Sequence, residues 1–136
     1  MDKVVNMTKA TVALGGSIVA MAFPEPRLPM YVLVAVLFID YCSGVARAYV
    51  SKSVSSRTGS LGVLKKALML SVVLLSALLD MVLQLQGILL NAVVFFYIAN
   101  EAISILENAV ELGVPVPSKL EDVLIQLKDG GNKDGY

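Results

Sequence analysis

The sequence predicts an all-α fold: a small integral membrane protein of three to four transmembrane helices followed by a short C-terminal amphipathic helix. Two observations predict it. Of 136 residues, 57% are hydrophobic and only 16% charged, whereas a soluble domain is nearer half apolar and a quarter charged. The surplus is also concentrated. Three runs are each long enough to cross a hydrocarbon core about 30 Å thick, which takes roughly 20 helical residues. The same composition excludes classes of chemistry. With no His, one Cys and no Trp, the chain cannot support histidine acid–base catalysis, a His-rich metal site, a CxxC redox centre or an intrachain disulfide. Eleven basic residues balance eleven acidic ones, which argues against a nucleic-acid partner. No cofactor is expected.

The first apolar stretch, residues 8–23, is the shortest and is rich in small side chains: Ala10, Ala13, Gly15, Gly16, Ser17 and Ala20. Pro24, Pro26 and Pro29 end it and start the next, because proline suits a turn or a first helical turn and not a helix interior. Lys3 and Lys9 with Ala20-Met21-Ala22 resemble a signal peptide and its cleavage site. The interruption at Gly15-Gly16-Ser17 argues instead for a retained helix, either spanning the bilayer or lying at its interface. Thr11 with Gly15, and Gly16 with Ala20, form small-xxx-small pairs that let helices pack closely. Met1 and Met7 bracket Lys3, which would allow two start sites differing by one positive charge.

Residues 29–50, 67–85 and 88–112 supply the other helices, making residues 1–112 a membrane bundle. Arg47, Lys52, Arg57, Lys65 and Lys66 gather around the connection between residues 50 and 67 with no acid among them. By the positive-inside rule that basic loop is cytoplasmic. The turn at residues 84–87 is then outside and the C-terminus inside, as is the N-terminus if the first stretch spans; the 24–27 connection would then be outside. A three-span chain with its N-terminus outside is the competing topology.

Residues 113–136 read as a cytoplasmic linker, helix and flexible tail. Gly113 fits the left-handed residue that closes a helix, and Val114-Pro115-Val116-Pro117 is a stiff linker. Ser118-Lys119-Leu120-Glu121 has the form of a capping box, and Leu120, Val123, Leu124 and Leu127 share one face of a short helix. That face serves equally for packing on the bundle or membrane and for binding a partner. No aqueous segment exceeds about 30 residues, below the roughly 40 at which small domains already need staples, so function belongs in the membrane.

Polar residues interrupt the apolar runs in stripes. Asp40, Ser43, Gly44 and Arg47 fall on one face of the second helix, and Asn100, Glu101, Ser104, Glu107 and Asn108 on one face of the fourth, with Asn91 further out. The third carries Asp80. An Asp or Arg at a helix centre costs about 2.5 to 3.5 kcal/mol, while each Leu, Ile, Val or Phe returns about 0.3 to 0.6. The roughly ten strongly apolar residues of the second helix therefore only offset Asp40 plus Arg47. The stripe must face protein or water, and an Arg47–Glu101 ion pair fits the topology. Three readings follow: charges that hold the bundle together, surfaces lining a pore between subunits of a homo-oligomer, or a proton or ion relay. Cys42 reads as a small packing residue.

These residues resemble the phage holin family, which includes the clostridial toxin-secretion holins. The resemblance runs from Val32 to Leu127. It rests on Ile39-Asp40-Tyr41-Cys42-Ser43-Gly44, on the basic Ser- and Gly-containing stretch Lys52, Ser55-Ser56, Gly59, Gly62 and Lys65-Lys66, on Tyr97-Ile98-Ala99-Asn100-Glu101 continuing to Asn108, and on Gly113-Val114-Pro115-Val116-Pro117. The first helix and the tail after Leu127 carry no family signature. The resemblance implies a non-enzymatic protein that oligomerises in the bacterial cytoplasmic membrane. Its lesions would release an endolysin or a large toxin, without necessarily binding it, and lead to lysis. The rival readings are a small ion channel or transporter accessory subunit, and a scaffold anchoring a partner through residues 118–128.

Overall fold

Five helices follow one another: α1 (Asp2–Ala22), α2 (Leu28–Val50), α3 (Ser56–Leu83), α4 (Ile88–Glu111) and α5 (Ser118–Gly130). They are taken from a computed structural model that describes residues 1–23 and 28–130, without the side chains at 121, 124 and 127–130. The first four helices are long and apolar enough to cross a membrane. The expectations placed on Pro24, Pro26, the 24–27 connection, the side chains of Glu121, Leu124 and Leu127, and the tail from 131 lie outside the described residues.

Three helix ends close in the same way, with a left-handed residue whose N–H, and that of its successor, return to the last turn. After α2, Lys52 (φ 54°) donates to the Tyr49 carbonyl and Ser53 to that of Ala48. After α3, Gln84 (φ 55°) and Leu85 donate to the Met81 and Asp80 carbonyls. After α4, Gly113 (φ 83°) and Val114 donate to the Val110 and Ala109 carbonyls. Gly113 is the one of the three that adopts this conformation without a Cβ penalty.

The third helix differs most from the sequence expectation. It starts at Ser56, with the Ser55 hydroxyl accepting the Thr58 N–H at 3.1 Å, rather than near residue 67. At 28 residues it is about 42 Å long. Hydropathy marks the apolar stretch of a helix and not its extent, and Arg57, Gly59, Gly62, Lys65 and Lys66 dilute the signal without breaking the helix. Arg57, Lys65 and Lys66 are therefore helical, and Lys52 alone of that basic group lies in the turn. In the same way α1 begins at Asp2 rather than near residue 8.

Helix α4 is the centre of the bundle. It packs along α2 and α3, and α5 folds back against it, while α2 and α3 meet at few points. Helix α1 touches mainly α3 and buries only Ala22. Leu33, Val73 and Val94, one from each of α2, α3 and α4, are the largest fully buried side chains, with Leu37, Ala77 and Leu90 beside them. The outer faces carry exposed apolar side chains such as Phe38, Leu64, Leu75 and Phe95, as lipid requires.

Candidate functional site

A period of seven carries the core into the polar residues. Seven residues fall about 20° short of two helical turns, so a step of seven stays on one face and moves about 10 Å along the axis. From the layer Leu33, Val73 and Val94, one step toward the α2–α3 turn reaches Asp40, Lys66 and Glu101. A second step reaches Arg47, Gly59 and Asn108, and one in the other direction reaches Asp80 and Gly87. The charged side chains thus continue the buried seam. Asp40 lies ten residues before Val50, Lys66 ten after Ser56 and Glu101 ten before Glu111, so all three sit about 15 Å from the ends of their helices.

Lys66 joins the two stripes. Its Nζ donates to Asp40 Oδ2 at 2.7 Å and also to Glu101 Oε2. The side chains of Lys66, Asp40 and Glu101 are 18%, 14% and 7% exposed, so water screens them little. Asn108, buried at 4%, donates to Ser43 Oγ at 2.9 Å and to Asp40 Oδ1 at 3.4 Å. Gly44 faces it: a Cβ there would lie 3.8 Å from Asn108 Nδ2, an ordinary van der Waals contact. Two carboxylates share one ammonium, so the cluster is formally −1. Among the described residues, no buried side-chain nitrogen or oxygen lacks a hydrogen-bond partner.

The expected Arg47–Glu101 pair does not form. Glu101 is level with Asp40 and holds Lys66, whereas Arg47 lies two turns nearer the α2–α3 turn and meets Glu111 at 3.4 Å, both side chains being well exposed. Asp80 lies apart from this cluster, at the opposite end of the bundle. Its carboxylate accepts the Gly87 N–H at 2.6 Å and the Leu90 N–H at 3.0 Å, capping the start of α4 where backbone donors have no helical partner. Asn100 and Ser104 are half-buried and line a cleft of about 430 Å³ together with Asp40, Gly44, Lys66 and Glu101. Gly15, Gly16 and Ala20 are exposed on α1, and a Cβ on either glycine would meet nothing within 4 Å. Cys42 is exposed rather than packed. Sequence reasoning missed Lys66 and Glu111 as partners. The heptad register would have found Lys66, which stands seven residues before Val73 as Glu101 stands seven after Val94.

Four long apolar helices, three of which enclose a buried, ion-paired seam, define a multi-pass helical membrane protein. The chain belongs to the bacteriophage holin family, whose family model matches residues 17–129. Its relatives include a probable holin of Bacillus phage phi105, 40% identical over 63% of this chain and 64% of its own. An uncharacterized 14.9 kDa protein in the nagH 3' region of Clostridium perfringens is 36% identical over 95% of this chain and 98% of its own. An uncharacterized protein of Listeria monocytogenes is 37% identical over 89% and 88%. No solved structure matches the chain.

Proposed function

We propose that this chain acts as a holin. It accumulates in the bacterial cytoplasmic membrane with the α2–α3 turn and the C-terminus on the cytoplasmic side, catalyses no reaction, and oligomerises into lesions. A cytoplasmic endolysin, or a large toxin, escapes through them and lysis follows. The cargo need not bind the chain.

The observation that carries this reading is the polar seam Asp40–Lys66–Glu101 with Asn108, set within apolar helices and bordering a cleft. In a single copy the charges are paired, which lets the protein reside in lipid before any lesion exists. The same side chains, turned toward neighbouring copies, supply a surface that water can wet. Asp40, Ser43, Gly44, Arg47, Asn100, Glu101, Ser104 and Asn108 then line the lesion or the contacts between copies, with Asp80 bracing α4 at the other end. Gly15, Gly16 and Ala20 offer α1 as a close-packing surface, and Lys52 and Arg57, nearest the turn, fix orientation.

The test is lysis timing in cells that express this chain together with a cytoplasmic endolysin. Asp40→Leu and Glu101→Leu each leave Lys66 with one carboxylate, and each should advance, delay or abolish lysis. Unchanged timing with both would sink the reading.

A further inference from the structure

The cleft beside the ion-paired cluster has chemistry that the cluster does not use. It opens between the turn-side halves of α2 and α3, where those helices scarcely touch, and α4 closes its back. Its volume of about 430 Å³ is within the roughly 300–1,000 Å³ of small-molecule sites. Asp40, Lys66 and Glu101 form one end, and the hydroxyls of Ser53, Ser55 and Thr58 the other.

Lys65 stands on the wall between them. It is exposed, level with the membrane-embedded cluster, and no acidic residue among those described pairs with it. A cation at that depth needs a counter-ion or a path to the headgroups. Of the basic residues in the lining, Lys66 is held by Asp40 and Glu101 and Arg47 meets Glu111, so the positive charge left to a ligand is that of Lys65, with Lys52 and Arg57 flanking the turn end. Gly59 and Gly62 also line the cleft, and a Cβ on either would meet nothing within 4 Å, so α3 presents a strip of bare backbone there. Val45, Val54, Val63 and Leu64 around it are exposed and apolar.

We propose that this cleft binds an anionic phospholipid. The phosphate lies at the turn end, within reach of the hydroxyls there, with the long Lys65 side chain extended toward it, while an acyl chain runs inward along the Gly59–Gly62 strip. Excess positive charge selects an anionic over a zwitterionic headgroup, as basic pockets between transmembrane helices do. The apolar surround selects a lipid over free phosphate. The inference rests on the chain lying in a membrane and not on lesion formation.

The test uses the full chain purified in detergent. It is mixed with phosphatidylglycerol, with phosphatidylcholine, or with phosphatidylglycerol plus excess inorganic phosphate, and bound lipid is read by native mass spectrometry. Phosphatidylglycerol should be retained, phosphatidylcholine released, and inorganic phosphate should displace nothing. Lys65→Gln should weaken retention about fivefold, the effect of one lost basic contact near a headgroup. Gly62→Phe should abolish it by filling the cleft without changing charge. If that variant loses helical content by circular dichroism, Gly59→Leu takes its place. Equal retention of both lipids, displacement by phosphate, or wild-type retention by Lys65→Gln overturns the proposal.

Discussion

Replacing Lys66 with methionine removes the one ammonium that Asp40 and Glu101 share. The formal charge of the cluster then goes from −1 to −2 among side chains at most 18% exposed. Breaking a buried pair by deleting one partner costs about 3–5 kcal/mol, because the remaining charge is stranded. Lys66→Met should therefore cost at least that much, since it strands two carboxylates. Asp40→Asn and Glu101→Gln each bring the cluster to zero and keep one ion pair, so both should cost far less. Glu101→Gln should be the milder, within about 1 kcal/mol of wild type, because Glu101 holds only Lys66 while Asp40 also holds Asn108. The triple variant Asp40→Asn, Lys66→Met, Glu101→Gln has no charge left to strand and should regain most of the loss. Thermal unfolding followed by far-UV circular dichroism in detergent measures the series. A Lys66→Met protein as stable as wild type, or less affected than Glu101→Gln, would mean that the shared ammonium does not hold the cluster together.

Asp80→Leu leaves the buried Gly87 and Leu90 N–H groups without their acceptor. At roughly 1–3 kcal/mol for each orphaned donor the loss should reach about 2–6 kcal/mol, and Asp80→Asn, which keeps an acceptor oxygen, should recover part of it in the same unfolding assay. Gly113→Ala forces a Cβ onto a φ of 83° where nothing else crowds it, so the loss should be backbone strain alone, about 1–2 kcal/mol. Truncation after Gly113 removes α5 and should leave lesion formation largely intact in a lysis assay, whereas a scaffold acting through that helix would lose its function.

Much of this architecture is legible in the sequence, for stated physical reasons. Runs of apolar residues mark lipid-facing helices, and Gly113 marks a helix end because its role is local. The stripes through Asp40 and Glu101 are visible because helical periodicity is local too. Pairing across helices is not. Reading residues 51–66 as loop puts Lys66 outside the membrane and leaves Arg47, in the cytoplasmic half of its own helix, as the partner for Glu101. The 28-residue extent of α3 reverses this, since it puts Lys66 opposite Asp40 at equal distance from the turn. Asp80 shows a second limit. Its carboxylate serves backbone N–H groups seven and ten residues ahead, and a tight turn after α3, closed by Gln84 in a left-handed conformation, brings them within reach. A side-chain pattern carries no trace of that.

As proposed, copies of this chain open lesions wide enough for a folded protein. Liposomes containing the purified full chain and loaded with ions, graded dextrans and a folded enzyme test it directly. The enzyme should be released together with the smaller solutes once the chain is dense enough to assemble. Leakage of ions with dextrans and enzyme retained would contradict it and point to a channel that uses Asp40, Lys66 and Glu101 as a relay.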